Sequence, residues 1–85
     1  MNLQDLLDKV CNGTSDGKTS QKLGITRGMF SAYRTGRKNP SDEVLNKMIE
    51  ISNLDPVEVY MVAYAEKVHN PIVAEAFRNS GHLTA

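Results

Sequence analysis

Thr19-Ser20-Gln21-Lys22-Leu23-Gly24-Ile25-Thr26-Arg27-Gly28-Met29-Phe30-Ser31-Ala32-Tyr33-Arg34-Thr35-Gly36-Arg37-Lys38-Asn39-Pro40 carries two helical patterns separated by a glycine and closed by a basic, proline-ended segment. It predicts one helix over roughly residues 16 to 23, a tight turn at Gly24, a second helix over roughly 27 to 35 and a basic exit loop. Thr26 has the residue type and position of an N-cap, and Gly36 marks the stop. Leu23, Ile25, Phe30 and Tyr33 are spaced so that both helices sit on one core. The positions between and after them, Thr26, Arg27, Gly28, Ser31, Ala32, Thr35, Arg37 and Lys38, are small, polar or cationic. A surface pressed against a polyanion requires those properties.

Two short helices on one core, the second with a small and cationic outer face, form the layout of a helix-turn-helix. In that layout the second helix enters the major groove of DNA. A net charge of zero argues against such a partner, but the distribution answers the objection. Residues 15 to 40 carry six cations, Lys18, Lys22, Arg27, Arg34, Arg37 and Lys38, against Asp16 alone, a net +5. Residues 41 to 85 carry three cations against seven acids, a net −4, and residues 1 to 14 contribute −1. The positive pole coincides with the candidate groove-binding helix, and a local basic face steers binding to phosphate more than the total charge does.

The rest of the chain reads as helix throughout, so the expected fold is all-α, a compact bundle of five to six helices. Leu3, Leu6, Leu7 and Val10 recur at helical spacing over roughly residues 2 to 11, and Asn12-Gly13-Thr14 ends that helix. Asn39-Pro40-Ser41-Asp42-Glu43 is a start signal with Ser41 as cap, followed by Val44, Leu45, Met48, Ile49 and Ile51 on a largely buried helix. Asp55-Pro56 opens a fifth helix expected to reach about Val68, and Asn70-Pro71 opens a sixth over roughly 71 to 79, stopped by Ser80-Gly81. The chain of 85 residues is expected to form one domain over residues 1 to 80, with a frayed tail over 81 to 85. At 40% hydrophobic and 24% charged, it has the balance of a folded globular chain rather than a disordered one. No apolar run approaches the roughly 18 residues of a membrane helix, and no signal peptide is evident at the start. A single cysteine, Cys11, has no internal disulfide partner and suits a reducing compartment, so a cytoplasmic protein without membrane association is expected.

Leu23-Gly24-Ile25-Thr26-Arg27, the spacing from there to Tyr33, and Gly36-Arg37-Lys38-Asn39-Pro40-Ser41 together resemble the Cro and lambda-repressor-like helix-turn-helix family. The resemblance covers roughly residues 2 to 60. It implies a bundle of about five helices and the role of a transcriptional repressor. The continuation, Ala65-Glu66-Lys67, then Asn70-Pro71-Ile72-Val73 and Phe77, looks like small members found in filamentous phages and prophages. The chain departs from the family where Leu-Ala is usual in the middle of the first helix of the motif. Thr19-Ser20 stands there instead, and Gly17 weakens the same helix by about 1 kcal/mol relative to alanine. That helix is therefore expected to be the softest of the motif.

Family geometry points the start of the second motif helix into the groove, which makes Arg27, Gly28, Ser31 and Ala32 the expected base readers. The Arg27 fork suits guanine O6 and N7, Gly28 lets backbone approach, Ser31 offers a hydrogen bond, and the Ala32 methyl suits a thymine methyl. Lys18, Thr26, Thr35, Arg37, Lys38 and Asn39 are expected at phosphates, Lys18 together with the backbone amides that start its helix. Arg34 has two readings: a phosphate contact, or an ion pair with an acid on the fourth helix.

Two apolar stripes, Val57, Tyr60, Met61, Tyr64 and Val68, then Ile72, Val73, Ala76 and Phe77, exceed what one small core hides. They predict a homodimer joined through Tyr60, Tyr64, Ile72, Val73, Ala76 and Phe77, matching a two-fold operator. The alternative is a sixth helix that folds back to complete a monomer core. Catalysis is not expected, since no nucleophile has a base nearby in sequence and no glycine-rich phosphate loop is present. His69 and His82 are too far apart and too far from Cys11 for a metal site. His69 is expected at the polar end of the fifth helix, and Cys11 as a small buried hydrophobe. No cofactor and no small-molecule ligand is expected. The reading is a sequence-specific repressor of double-stranded DNA, of phage or prophage origin and acting in the bacterial cytoplasm. The alternatives are an antitoxin that represses its own operon, or an interaction module that has lost DNA binding.

Overall fold

Each helix begins at a side chain that satisfies amide groups the helix itself leaves open. In the computed structural model, which describes residues 1–68 and 70–80 and the side chains up to Phe77, α1 spans Leu3–Cys11, α2 Asp16–Leu23, α3 Arg27–Arg34, α4 Asp42–Ser52, α5 Pro56–Ala65 and α6 Pro71–Ser80. The expectations for His69, for the stop at Gly81, for His82 and for a frayed 81–85 lie outside the described residues. The fold is all-α.

Asn2 opens α1 with a capping box: its side chain accepts from the Asp5 amide, and the Asp5 carboxylate accepts from the Asn2 amide. Ser15, Thr26, Ser41 and Asp55 cap α2, α3, α4 and α5 in the same accepting sense. The Asn70 side chain accepts from the amides of Ile72 and Val73 at the start of α6. Stops are equally local. Asn12 and Asn53 end α1 and α4 in the left-handed region, where asparagine is among the few tolerant residues. Gly24, at φ 74°, lets the Ile25 amide reach back to the Ser20 carbonyl and so closes α2.

The core collects Leu3, Leu6, Leu7 and Val10 from α1, Leu23 from α2, Phe30 and Tyr33 from α3, Leu45 and Met48 from α4, and Val59, Val62 and Ala63 from α5. Phe30 is fully buried, and a side chain of that size contributes roughly 1.5–3 kcal/mol on leaving water. Val44, Ile49 and Ile51 pack against this core only partly buried, so α4 is less enclosed than its composition predicts. Thr19 and Ser20 take the family's apolar positions in α2 and are buried there without an orphaned hydroxyl. Thr19 donates to the Ser15 carbonyl and Ser20 to the Gly17 carbonyl.

One expectation about the C-terminal part is corrected. The fifth helix stops at Ala65 rather than near Val68. Glu66, Lys67 and Val68 donate three residues back, a tighter winding that turns the chain so that α6 returns onto α5. Of the stripe expected there, Val57 and Tyr64 are exposed and Tyr60, Met61 and Val68 half-buried, Val68 lying beyond the end of α5, while Val59, Val62 and Ala63 are buried in the core. α6 does fold back on α5, burying Ala74, yet it leaves Ile72 at 80% and Val73 at 43% exposure. Among the described residues no helix is long and apolar enough to cross a membrane.

Candidate nucleic-acid interface

α3 is anchored from below by Phe30 and Tyr33, which leaves the outer side of its first turns to solvent. The Thr26 hydroxyl accepts from the Met29 amide at 3.0 Å and fixes where the helix starts. Arg27, Gly28 and Ser31 are all exposed, and their helical spacing places them on one side. A Cβ at Gly28 would meet only the Thr26 hydroxyl, at 3.9 Å, so nothing in the fold itself demands a glycine there. Met29, half-buried against the core beside Ile25, borders this side without joining it.

Ala32 does not belong to the exposed set. It is 7% exposed, because the chain after Gly36 folds over it: the amides of Arg37 and Lys38 both donate to the Ala32 carbonyl, at 2.9 and 3.3 Å. The same fold-back sets Arg37 and Lys38 beside α3, where they line an open depression with Gly28, Met29 and Ala32. Lys38 also borders the neighbouring hollow over Thr26, with Asn39 and Ser41. The Thr35 hydroxyl is engaged within the chain: it donates to the carbonyls of Ser31 and Ala32 and accepts from Arg37 Nε at 3.1 Å. Thr35 thus orients Arg37 more than it offers itself to a partner.

Arg34 is not free for phosphate, and its acid is not on α4. Its guanidinium bridges Asp8 of α1 at 2.6 Å and Asp16 of α2 at 3.0 Å. It also lies over the Phe30 ring, 5.5 Å from the centroid. The hydrogen bond from Arg34 holds the Asp16 carboxyl below the usual aspartate value, outweighing the upward push of burial, and the more distant charge of Arg27 acts in the same downward sense. The two acids reciprocally raise the arginine, Asp16 most strongly. Cys11, buried as expected, lies in the same cluster and donates to Asp16 at 3.5 Å.

The remaining cations of the basic segment, Lys18, Lys22, Arg27, Arg37 and Lys38, are exposed and form no ion pair among the described residues. The amide of Lys18 is already taken by the Ser15 hydroxyl, so an anion at the start of α2 does not have that donor. Sequence reasoning missed Gln4, whose side chain donates to the carbonyls of Arg34 at 2.7 Å and Tyr33 at 3.4 Å at the end of α3. It also missed Asp8 and Asp16 as partners. The one signal for them is Asp16 itself, a solitary acid among six cations.

The residues expected at a dimer contact divide. Tyr60 and Tyr64 pack ring to ring at 5.8 Å, and their hydroxyls bind α4: Tyr60 donates to Asn46 at 2.7 Å, Tyr64 to Asp42 at 2.9 Å. That bond to Asp42 is the main cause raising the Tyr64 hydroxyl above the usual tyrosine value. Both tyrosines therefore hold α5 to α4 within one chain. Ile72, Val73 and Ala76 are exposed, and Val73, Ala76 and Phe77 line an apolar hollow with Met61.

The chain matches no family model, and comparison with curated proteins and with solved structures found no match.

Proposed function

We propose that this chain is a sequence-specific, double-stranded-DNA-binding transcriptional regulator of the Cro and lambda-repressor-like kind. On this reading α2, the Gly24 turn and α3 are its helix-turn-helix. α3 enters the major groove, with Arg27 reading a base edge, Ser31 offering a further hydrogen bond and Gly28 allowing backbone approach. Lys18, Thr26, Arg37, Lys38 and Asn39 serve phosphates and set the register. The observation that carries the proposal is the sorting of charge around α3. Its one inward-turned arginine is neutralised by two acids, whereas Arg27, Arg37 and Lys38 stand exposed beside a surface of small residues and form no ion pair among the described residues.

The proposed assembly is a homodimer on a palindromic operator, with α6 at the contact and the two copies of α3 about 34 Å apart, one turn of DNA. The exposed apolar residues of α6 support this arrangement. The proposed control is through concentration and dimerisation. A phage or prophage repressor in the bacterial cytoplasm is the setting that fits the reading. The test is footprinting on DNA that flanks the chain's own gene, with affinity followed against salt. Protection of a two-fold site with a steep salt dependence is the expected outcome. Binding that ignores both sequence and salt rejects the proposal.

A further inference from the structure

The end of α3 is gripped from two sides by polar contacts that the core does not require. From α1, Gln4 holds the carbonyls of Tyr33 and Arg34, acceptors that a helix end leaves open. From α1 and α2, Asp8 and Asp16 receive three guanidinium donors of Arg34, at 2.6, 3.3 and 3.0 Å. A guanidinium is planar and its donors diverge in a fixed fork, so two carboxylates held on two helices dictate where the arginine lies. Its position in turn sets the rotation and tilt of the helix that carries it. The apolar contacts of Phe30 and Tyr33 keep α3 on the core but constrain its pitch less, being non-directional.

We infer that Gln4, Asp8 and Asp16 are positioning residues. Through Arg34 they fix the pitch of α3 against α1 and α2, and so the angle at which its outer face meets DNA. The inference rests on the DNA-reading function proposed above. It assigns Arg34 a different task from its neighbours Arg37 and Lys38: it sets the geometry of reading and touches no phosphate.

Electrostatics and geometry predict opposite signs for one substitution. Asp16→Ala removes an acid beside a polyanion site, which by charge alone strengthens binding to every duplex. Loss of the grip instead weakens the preferred sequence. The expected result is nonspecific affinity equal to or above that of the parent, and a ratio of specific to nonspecific affinity about tenfold lower, within the range one misplaced base contact spans. A purely stabilising role leaves that ratio unchanged, because a smaller folded fraction lowers both affinities together. Asp16→Glu, which restores the acceptor, recovers part of the ratio.

Gln4→Ala provides a reading that needs no DNA and alters only an exposed side chain. In the free protein, hydrogen exchange at the amides of Thr35, Gly36 and Arg37, which close the end of α3, should quicken by about 2- to 10-fold, the span of one ordinary hydrogen bond. Unchanged exchange there, or an unchanged affinity ratio in Asp16→Ala, overturns the positioning role. A parent chain that prefers no duplex sequence, with exchange altered as expected, rejects the DNA-reading function and the specificity half of this inference. The mechanical half then stands.

Discussion

α3 and α6 are both short surface helices opened by a polar cap, yet they relate to the core in opposite ways. α3 drives Phe30 and Tyr33 into the core and turns charged and small residues outward. α6 buries only Ala74 among its described side chains and turns Ile72 and Val73 outward. The core thus holds α3 whatever its outer face carries, so that face is free to be chosen for a ligand. α6 lies on α5 and leaves apolar surface in water. Single exposed apolar residues are ordinary, but a group of them beside an apolar hollow is the usual mark of a contact with another chain. On the proposed function the two helices take two kinds of partner, a polyanion at α3 and a second copy at α6.

The largest expected effect lies on the α6 side. Ile72→Glu places a charge at the most exposed large apolar side chain among the described residues and leaves the described core untouched. Sedimentation at micromolar concentration should show the parent as a dimer and the variant as a monomer with the same helical content. Operator affinity should fall by about 100-fold or more, since binding of the second half-site is no longer intramolecular. A variant that stays dimeric moves the contact away from α6.

On the α3 side, Arg27→Ala should cost about 1–3 kcal/mol on the preferred site and relax preference at one base pair per half-site. Affinities across a set of operator variants read this directly. Equal loss on every sequence makes Arg27 a phosphate contact. Lys38→Ala should weaken all duplexes alike and flatten the slope of log affinity against log salt by about one for each phosphate that is no longer neutralised. An unchanged slope removes Lys38 from the interface.

Gly28→Ala is expected to have the smallest effect and separates folding from function. The site has room for a Cβ, and alanine is favoured over glycine inside a helix by about 1 kcal/mol, so thermal stability should rise by that order. DNA affinity should fall nonetheless, because the added methyl group stands off the backbone. A rise in both stability and affinity would show that Gly28 makes no close approach.

How much is legible in the sequence follows the range of the interactions. Caps and stops are local, so Thr26, Ser41, Asp55, Gly24 and Gly36 can be read from a few neighbouring residues, and the observed boundaries of α2 coincide with those expected. Phe30 and Tyr33 are recognisable as core from their spacing with Leu23. The grip on Arg34 is not legible, because Asp16 and Asp8 lie 18 and 26 residues away and nothing local selects them over an acid on α4. Ala32 is misplaced by its spacing because its burial depends on the path of the loop after Gly36, which helical periodicity does not encode. α5 misleads for a different reason. Pro56–Ala65 is apolar on nearly every side, so the pattern does not show that Tyr60 and Tyr64 bond through their hydroxyls to Asn46 and Asp42 of α4, partners 14 and 22 residues away.

Whether α3 reads duplex DNA is decided by equilibrium binding of the full chain to the duplex flanking its own gene, measured beside a scrambled duplex over a range of salt. A DNA-reading α3 gives a preference of about 10³-fold or more for one two-fold site, with log affinity falling steeply and linearly in log salt for both duplexes. Equal affinity for the two duplexes, or no binding to either at low salt, would contradict it.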